Sequence, residues 1–241
     1  MIELIVELAL AVIPAVLAIT LHEAAHGYAA LAMGDDTARN AGRLSLNPLR
    51  HVDRVGTILL PGFLLIAQLI TIGRVQFMFG WAKPVPIAAW KFRNPRGGMA
   101  LVAAAGPLAN FALAWLGGLA MHIVPDDASG GQALVQELFF NFILMNLVLG
   151  LFNLLPIPPL DGGRIMVGIL PAPLADRWAR MERAGIAIVL ILVFLLPALA
   201  RELGLAFDPF RAVLATVLPW AVRLVLHLSG HAIDVPDASF T

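Results

Sequence analysis

Six apolar runs, at about 4–33, 55–79, 99–124, 133–155, 184–200 and 209–228, narrow the solvents this chain can fold in. Each approaches or exceeds the roughly 20 residues an α-helix needs to cross a hydrocarbon core. Backbone polar groups find no water there, so such runs become helices that close their hydrogen bonds internally. Only 13% of residues are charged, against about a quarter in a soluble domain. With 60% hydrophobic residues and a mean hydropathy of +0.86, the 241 residues make spans and little else. The fold class expected is an all-α polytopic membrane protein of about five to six transmembrane helices. One membrane domain covers 1–228, with core helices at about 4–33, 99–124 and 133–155, and a polar, mobile tail covers 229–241.

Pro14 and Pro219 fall inside the first and last runs, where neighbouring helices can satisfy the freed backbone groups. Ala103, Ala104, Ala105, Gly106, Gly117 and Gly118 in the third run permit close helix contact. Glu3 and Glu7 precede any Lys or Arg, so the basic start of a secretory signal is missing and the first helix is expected to be retained. Net charge is zero, which gives no case for a nucleic-acid partner. The absence of cysteine excludes disulfides and thiolate metal sites.

Loop charges carry topology. Segments 34–54, 81–98 and 161–183 are basic, whereas 125–132 holds Asp126 and Asp127 and no base. The positive-inside rule places the three basic segments in the cytoplasm and the N-terminus outside. All three can lie on one side only if the run 55–79 enters and leaves there, as a re-entrant region over about 55–90 between the first two core helices. Pro61-Gly62, Gly73, Arg74 and Gln76 are breaks that suit such a segment. An ordinary span with a locally violated charge rule is the alternative.

Within the first run stands Leu21-His22-Glu23-Ala24-Ala25-His26-Gly27. Positions i and i+4 of a helix share a face, so His22 and His26 can reach one metal ion. Glu23, beside the first of them, could take a proton from water at that ion. Ionisable side chains at membrane depth are costly unless they have a task. A hydrolytic zinc site usually takes three protein ligands and keeps one position open. Asp161 is a candidate third ligand, because it follows the fourth run at the same cytoplasmic depth, after Leu155-Pro156-Ile157-Pro158-Pro159-Leu160. Taken alone, Asp161 reads first as a helix N-cap; the His/Glu motif in the same chain reverses the balance in favour of the ligand.

His22-Glu-Ala-Ala-His26, Gly106-Pro-Leu-Ala-Asn110 and Asn153-Leu-Leu-Pro-Ile-Pro-Pro-Leu-Asp161-Gly-Gly together resemble the site-2 protease family of intramembrane zinc metalloproteases. Gly42–Asp53 and Phe79–Pro86 are similar to its compact prokaryotic members, without a PDZ-like or nucleotide-binding regulatory module. The resemblance runs from helix one to about Arg164. It implies one zinc ion per chain held by His22, His26 and Asp161, with Glu23 activating water. It also implies an intramembrane endopeptidase in a multi-pass cell-membrane setting, acting on transmembrane protein substrates from a site towards the cytoplasm. The alternative is a non-enzymatic membrane metal carrier or scaffold using the same His and Asp residues. An inactive relative is disfavoured, since none of these positions is substituted.

Asn153 and Asn110 are candidates for holding a substrate backbone or an oxyanion, against the plainer role of interhelical hydrogen bonding. Asn141 and Asn146 read as packing or polar lining. His51 and Asp53 read as solvated loop residues before a second metal pair. His122, His227 and His231 read as interfacial, as do the five tryptophans. Arg177, Arg180 and Arg183 mark a cytoplasmic border near lipid phosphates.

Overall fold

The computed structural model describes residues 2–73, 80–125, 128–205 and 207–231. Arg74, Gln76, Phe79, Asp126, Asp127 and the tail from 232 onwards lie outside them. The described residues form helices and connecting segments, with no strand among them. The helices are α1 (Ile2–Ala32), α2 (Thr37–Asn40), α3 (Leu60–Ile72), α4 (Pro95–Met121) and α5 (Gly131–Asn153), then α6 (Asp161–Ile169), α7 (Ala172–Arg180), α8 (Gly185–Leu190), α9 (Leu196–Glu202) and α10 (Pro209–Leu228). Six helical stretches among the described residues are long and apolar enough to cross a membrane: Ile5–Ala32, Arg54–Thr71, Pro95–Met121, Gly131–Asn153, Ala172–Glu202 and Phe210–Leu228.

Helix α4 is the centre of the bundle and packs against α1, α5, α6 and α10. Asn94 starts it by accepting from the Gly97 N–H, with Pro95 in the first turn where no N–H is needed. One core cluster joins Ala114, Ile143, Leu147, Ala221 and Val225 across α4, α5 and α10. A second joins Ala30, Phe92 and Val102 between α1 and α4.

The run 55–79 differs from its sequence reading in detail. Pro61 and Gly62 do not break it: the helical stretch runs from the π-helical turn at 54–59 into α3 and continues through both residues. A π-helical turn, Arg54–Leu59, precedes α3, capped by Asp53 accepting from Val55 and Gly56 N–H. Gly73, at φ 68°, ends α3 in the left-handed region that favours glycine. The two ends of this excursion meet. Trp81 N–H donates to Gly56 O at 3.1 Å, Thr57 Oγ1 to Trp81 O at 2.9 Å and Lys83 N–H to His51 O at 2.8 Å. Trp81 lies across Gly56, where a side chain would overlap the indole.

Three further readings are corrected. His51 is not solvated: it is buried, with Nε2 bonded to Ser45 O at 2.8 Å. Asp53 is a helix cap rather than a free loop carboxylate. The tail does not begin at 229 as mobile chain, since Ser229 is buried and His231 Nε2 reaches Gly118 O at 2.8 Å. Segment 161–183 is mostly helical, and it carries Arg177, Arg180 and Arg183 exposed.

Candidate metal centre

One turn apart on α1, His22 and His26 present their rings edge to face, with centroids 4.6 Å apart. Their Nε2 atoms are 3.1 Å from each other. Asp161 Oδ2 completes a triangle, 3.1 Å from His22 Nε2 and 3.3 Å from His26 Nε2. All three residues are buried.

The hydrogen bonds behind the rings determine what faces forward. His26 Nδ1 lies 2.7 Å from Val102 O, a carbonyl that can only accept, so this nitrogen carries the proton. His22 Nδ1 lies 2.6 Å from Asn110 Oδ1. The amide orientation of Asn110 follows from its Nδ2, which donates to Ala18 O at 3.3 Å and Asn146 Oδ1 at 2.8 Å. His22 is therefore protonated on Nδ1 as well. Both Nε2 lone pairs then converge on Asp161 Oδ2, a buried atom that no donor satisfies. Three lone-pair atoms crowded together call for a cation. A tetrahedral zinc with bonds of about 2.0–2.1 Å separates its ligands by about 3.3–3.4 Å, close to this triangle.

One face of α4 makes the backing. Val102, Gly106 and Asn110 follow at helical spacing, and all three touch the histidines. A Cβ on Gly106 would stand 2.5 Å from His26 Nε2 and 2.6 Å from His22 Cε1. Gly106 is there because the rings occupy the space of a side chain. Asn110 is completely buried and its amide is committed on both sides. It stands behind His22, and the reading of Asn110 as an oxyanion group gives way to one of orientation.

Asp161 is the first residue of α6, with Leu160 at the cap position, so it is not an N-cap. The turn 154–160, whose Pro158–Pro159 peptide is cis, folds over the start of α6. Gly162 and Gly163 are needed beneath it: a Cβ on Gly162 would overlap Leu154 O, and one on Gly163 would lie 2.5 Å from Pro158 N. At the other end, the Arg96 guanidinium donates to Val167 O at 2.9 Å and caps Leu170 O, satisfying carbonyls the helix leaves open. Arg96, one of the charges of the basic segment 81–98, is thus committed to the end of α6. Asn153 donates through Nδ2 to Leu149 O, one turn back on its own helix, at 3.0 Å. Glu23 is half-buried beside His22, and its Oε2 accepts from the Val85 N–H at 3.0 Å.

Residues 116–196 match a family model described as Peptidase family M50. Over 185 residues the chain is 40% identical to the Bacillus subtilis (strain 168) protein named "Putative zinc metalloprotease YwhC", covering 75% of this chain and 78% of that protein. The chain belongs to peptidase family M50, the site-2 protease family.

A second relative, the Streptococcus pyogenes serotype M3 protein named "Putative zinc metalloprotease SPs1691", is 34% identical over 94 residues, 36% of this chain and 22% of that protein. No solved structure matches the chain. The M50 match runs to residue 196, well past Arg164, where the resemblance carried by the motifs ends. Helices α7 and α8 are thus part of the M50 match although they carry no ligand. With six helices of spanning length, this M50 member is a multi-pass membrane metalloprotease.

Proposed function

We propose that this M50 member is an intramembrane zinc endopeptidase that hydrolyses peptide bonds in or near transmembrane segments of other membrane proteins. The observation that carries the reading is the convergence of His22 Nε2, His26 Nε2 and Asp161 Oδ2 within 3.3 Å of one another, next to Glu23. His22, His26 and Asp161 hold the ion, and Glu23 is the general base. Bound there, zinc supplies the Lewis acidity that polarises a peptide carbonyl and makes water acidic enough to ionise near neutral pH. Glu23 takes the water proton and returns it to the leaving amine. Val102 O and Asn110 keep both histidines in the tautomer that offers Nε2. Asn153 uses one amide N–H on Leu149 O, which leaves its second N–H and its oxygen for a substrate backbone.

Substrate helices satisfy their own backbone groups, so cleavage requires local unwinding. The 54–81 excursion enters and leaves the bilayer on one side, a reading supported by the hydrogen bonds joining 56–57 to 81. The basic segments then share the cytoplasmic side, the N-terminus lies outside, and the zinc site sits in the cytoplasmic half of α1.

The deciding experiment is Glu23→Gln in purified protein, with zinc content and cleavage of a membrane substrate measured together. Retained zinc with lost cleavage supports the enzyme. Unchanged cleavage overturns the role of Glu23, and metal transport that survives the substitution favours a carrier.

A further inference from the structure

Pro84-Val85-Pro86 touches the proposed chemistry through its backbone alone, since none of its side chains carries a reactive group. We propose that the backbone N–H of Val85 is a positioning group for Glu23, fixing one carboxylate oxygen so that the other is the proton acceptor. This rests on the reading of Glu23 as general base.

Val85 N–H donates to Glu23 Oε2 at 3.0 Å, across 62 residues of sequence. Neither flanking proline has an N–H, so residues 84–86 offer a single backbone donor, and it is the one that meets Glu23. Val85 is buried, and its side chain lies against the α1 surface at Gly27, where a Cβ would come within 3.2 Å of Val85 Cγ1.

The segment is held on both sides. Upstream, Arg43 Nη2 donates to Lys83 O at 2.7 Å, and Lys83 N–H donates to His51 O at 2.8 Å. Downstream, Ala88 N–H donates to Asp35 Oδ2 at 2.6 Å, and Lys91 Nζ reaches Asp36 Oδ1 at 2.6 Å. Asp35 and Asp36 follow directly on α1, the helix that carries Glu23. The donor and the carboxylate are therefore referenced to the same piece of backbone. A free carboxylate samples rotamers, and a misplacement of about 1 Å in a reacting group can cost about 100-fold in rate. A backbone donor anchored on both sides removes that freedom without adding a titratable neighbour.

The test replaces Val85 by its α-hydroxy analogue through nonsense suppression, which exchanges the N–H for an ester oxygen and keeps the side chain. Val85→Pro serves as a genetically encoded second version. Cleavage of a synthetic leucine-rich transmembrane peptide with a central Asn-Pro pair is followed in detergent, with zinc assayed on the same samples. The expected result is a kcat lowered about 10- to 100-fold, KM within about twofold and zinc retained. The same ester at Ile87, beyond Pro86, leaves kcat near that of the unmodified protein.

An activity-independent readout uses selective 15N-valine labelling. The Val85 amide proton moves upfield in Glu23→Gln, because a neutral amide is a weaker acceptor than a carboxylate. An unchanged kcat in the ester and in Val85→Pro overturns the proposal. So does an unmoved Val85 resonance, or a loss explained by missing zinc or raised KM. If Glu23→Gln cleaves like the wild type, the general-base reading falls first, and the positioning role with it.

Discussion

His22 Nδ1 and Asn110 Oδ1, 88 residues apart in sequence, lie 2.6 Å apart in the core of the bundle. The contact commits the proton of His22 to its rear face and frees Nε2 for a metal. Asn146, also completely buried, holds the Asn110 amide in the orientation that makes this work.

Asn110→Ala is therefore expected to weaken zinc binding about 10- to 100-fold while leaving His22, His26 and Asp161 intact. Asn146→Leu should weaken it in the same direction and by less. Competition against a chromogenic chelator in detergent measures both. Equal zinc affinity in Asn110→Ala and wild type would contradict the orienting role.

Gly106→Ala places a methyl group where the two imidazoles stand. The expected outcome is loss of zinc together with a destabilisation of about 1–3 kcal/mol, the range for forcing extra atoms into a packed core. Zinc stoichiometry and the thermal midpoint of the purified protein check it. Ala105→Gly, one residue away, is the control for a general effect of altering α4.

Chelation of the metal should lower the thermal midpoint and restore it on zinc addition, because a ligand bound to the folded state alone stabilises by mass action. Asp161→Asn should abolish most of that zinc-dependent shift. A midpoint indifferent to zinc in the wild type would refute the metal assignment directly.

Asp35 gives a prediction on acid stability. Its carboxyl is completely buried, which by itself would push its pKa up. Hydrogen bonds from the Thr37 hydroxyl, the Ala88 and Thr37 N–H groups and Lys91 outweigh this and hold it below the usual carboxylate range. A carboxyl depressed in the folded state stabilises fully above its unfolded pKa of about 4, and the contribution fades as pH falls through the folded value. Asp35→Ala should lower the thermal midpoint at pH 7, through unpartnered donors costing about 1–3 kcal/mol. The gap between mutant and wild type should close on acidification below about pH 4. A gap that widens there would reverse the sign of the effect.

Topology is testable because the chain has no cysteine of its own. Single cysteines at Arg50 and Lys83, both exposed, should react with a membrane-impermeant thiol reagent from the same side. A cysteine at Ile123, 80% exposed at the far end of α4, should react from the other. Opposite sides for Arg50 and Lys83 would make 54–81 an ordinary crossing.

The spans were legible in the sequence because a lipid environment leaves helix as the one way to satisfy an apolar run. The bounds of α4, α5 and α10 fall within a few residues of the runs that predict them. The grouping of His22, His26 and Asp161 was legible in part: i, i+4 spacing on a helix is a geometric statement, while Asp161 was a candidate by depth that the family resemblance completed. The backing was not. Asn146 reads as packing until its amide is seen against Asn110, and Gly106 reads as one more small residue until two imidazoles are found over it. His51 looked solvated because polar residues between basic side chains usually are; its burial comes from the returning chain at Lys83, which no local pattern encodes. Val85 lies in the Phe79–Pro86 stretch that resembles the family, but its side chain carries no chemistry, so the pattern marks the segment and not the backbone contact with Glu23.

The three converging atoms come from α1 and α6, which both pack against α4, and the order in which the chain is made has a consequence. His22 and His26 emerge from the ribosome first, α4 follows and locks their tautomers, and Asp161 arrives last with α6. The nascent chain then has two of the three converging atoms, and the triangle closes only when α6 docks against α4. Order of synthesis thus sets the earliest point at which a metal can be fully held: a chain that stops short of α6 lacks the third of the converging atoms.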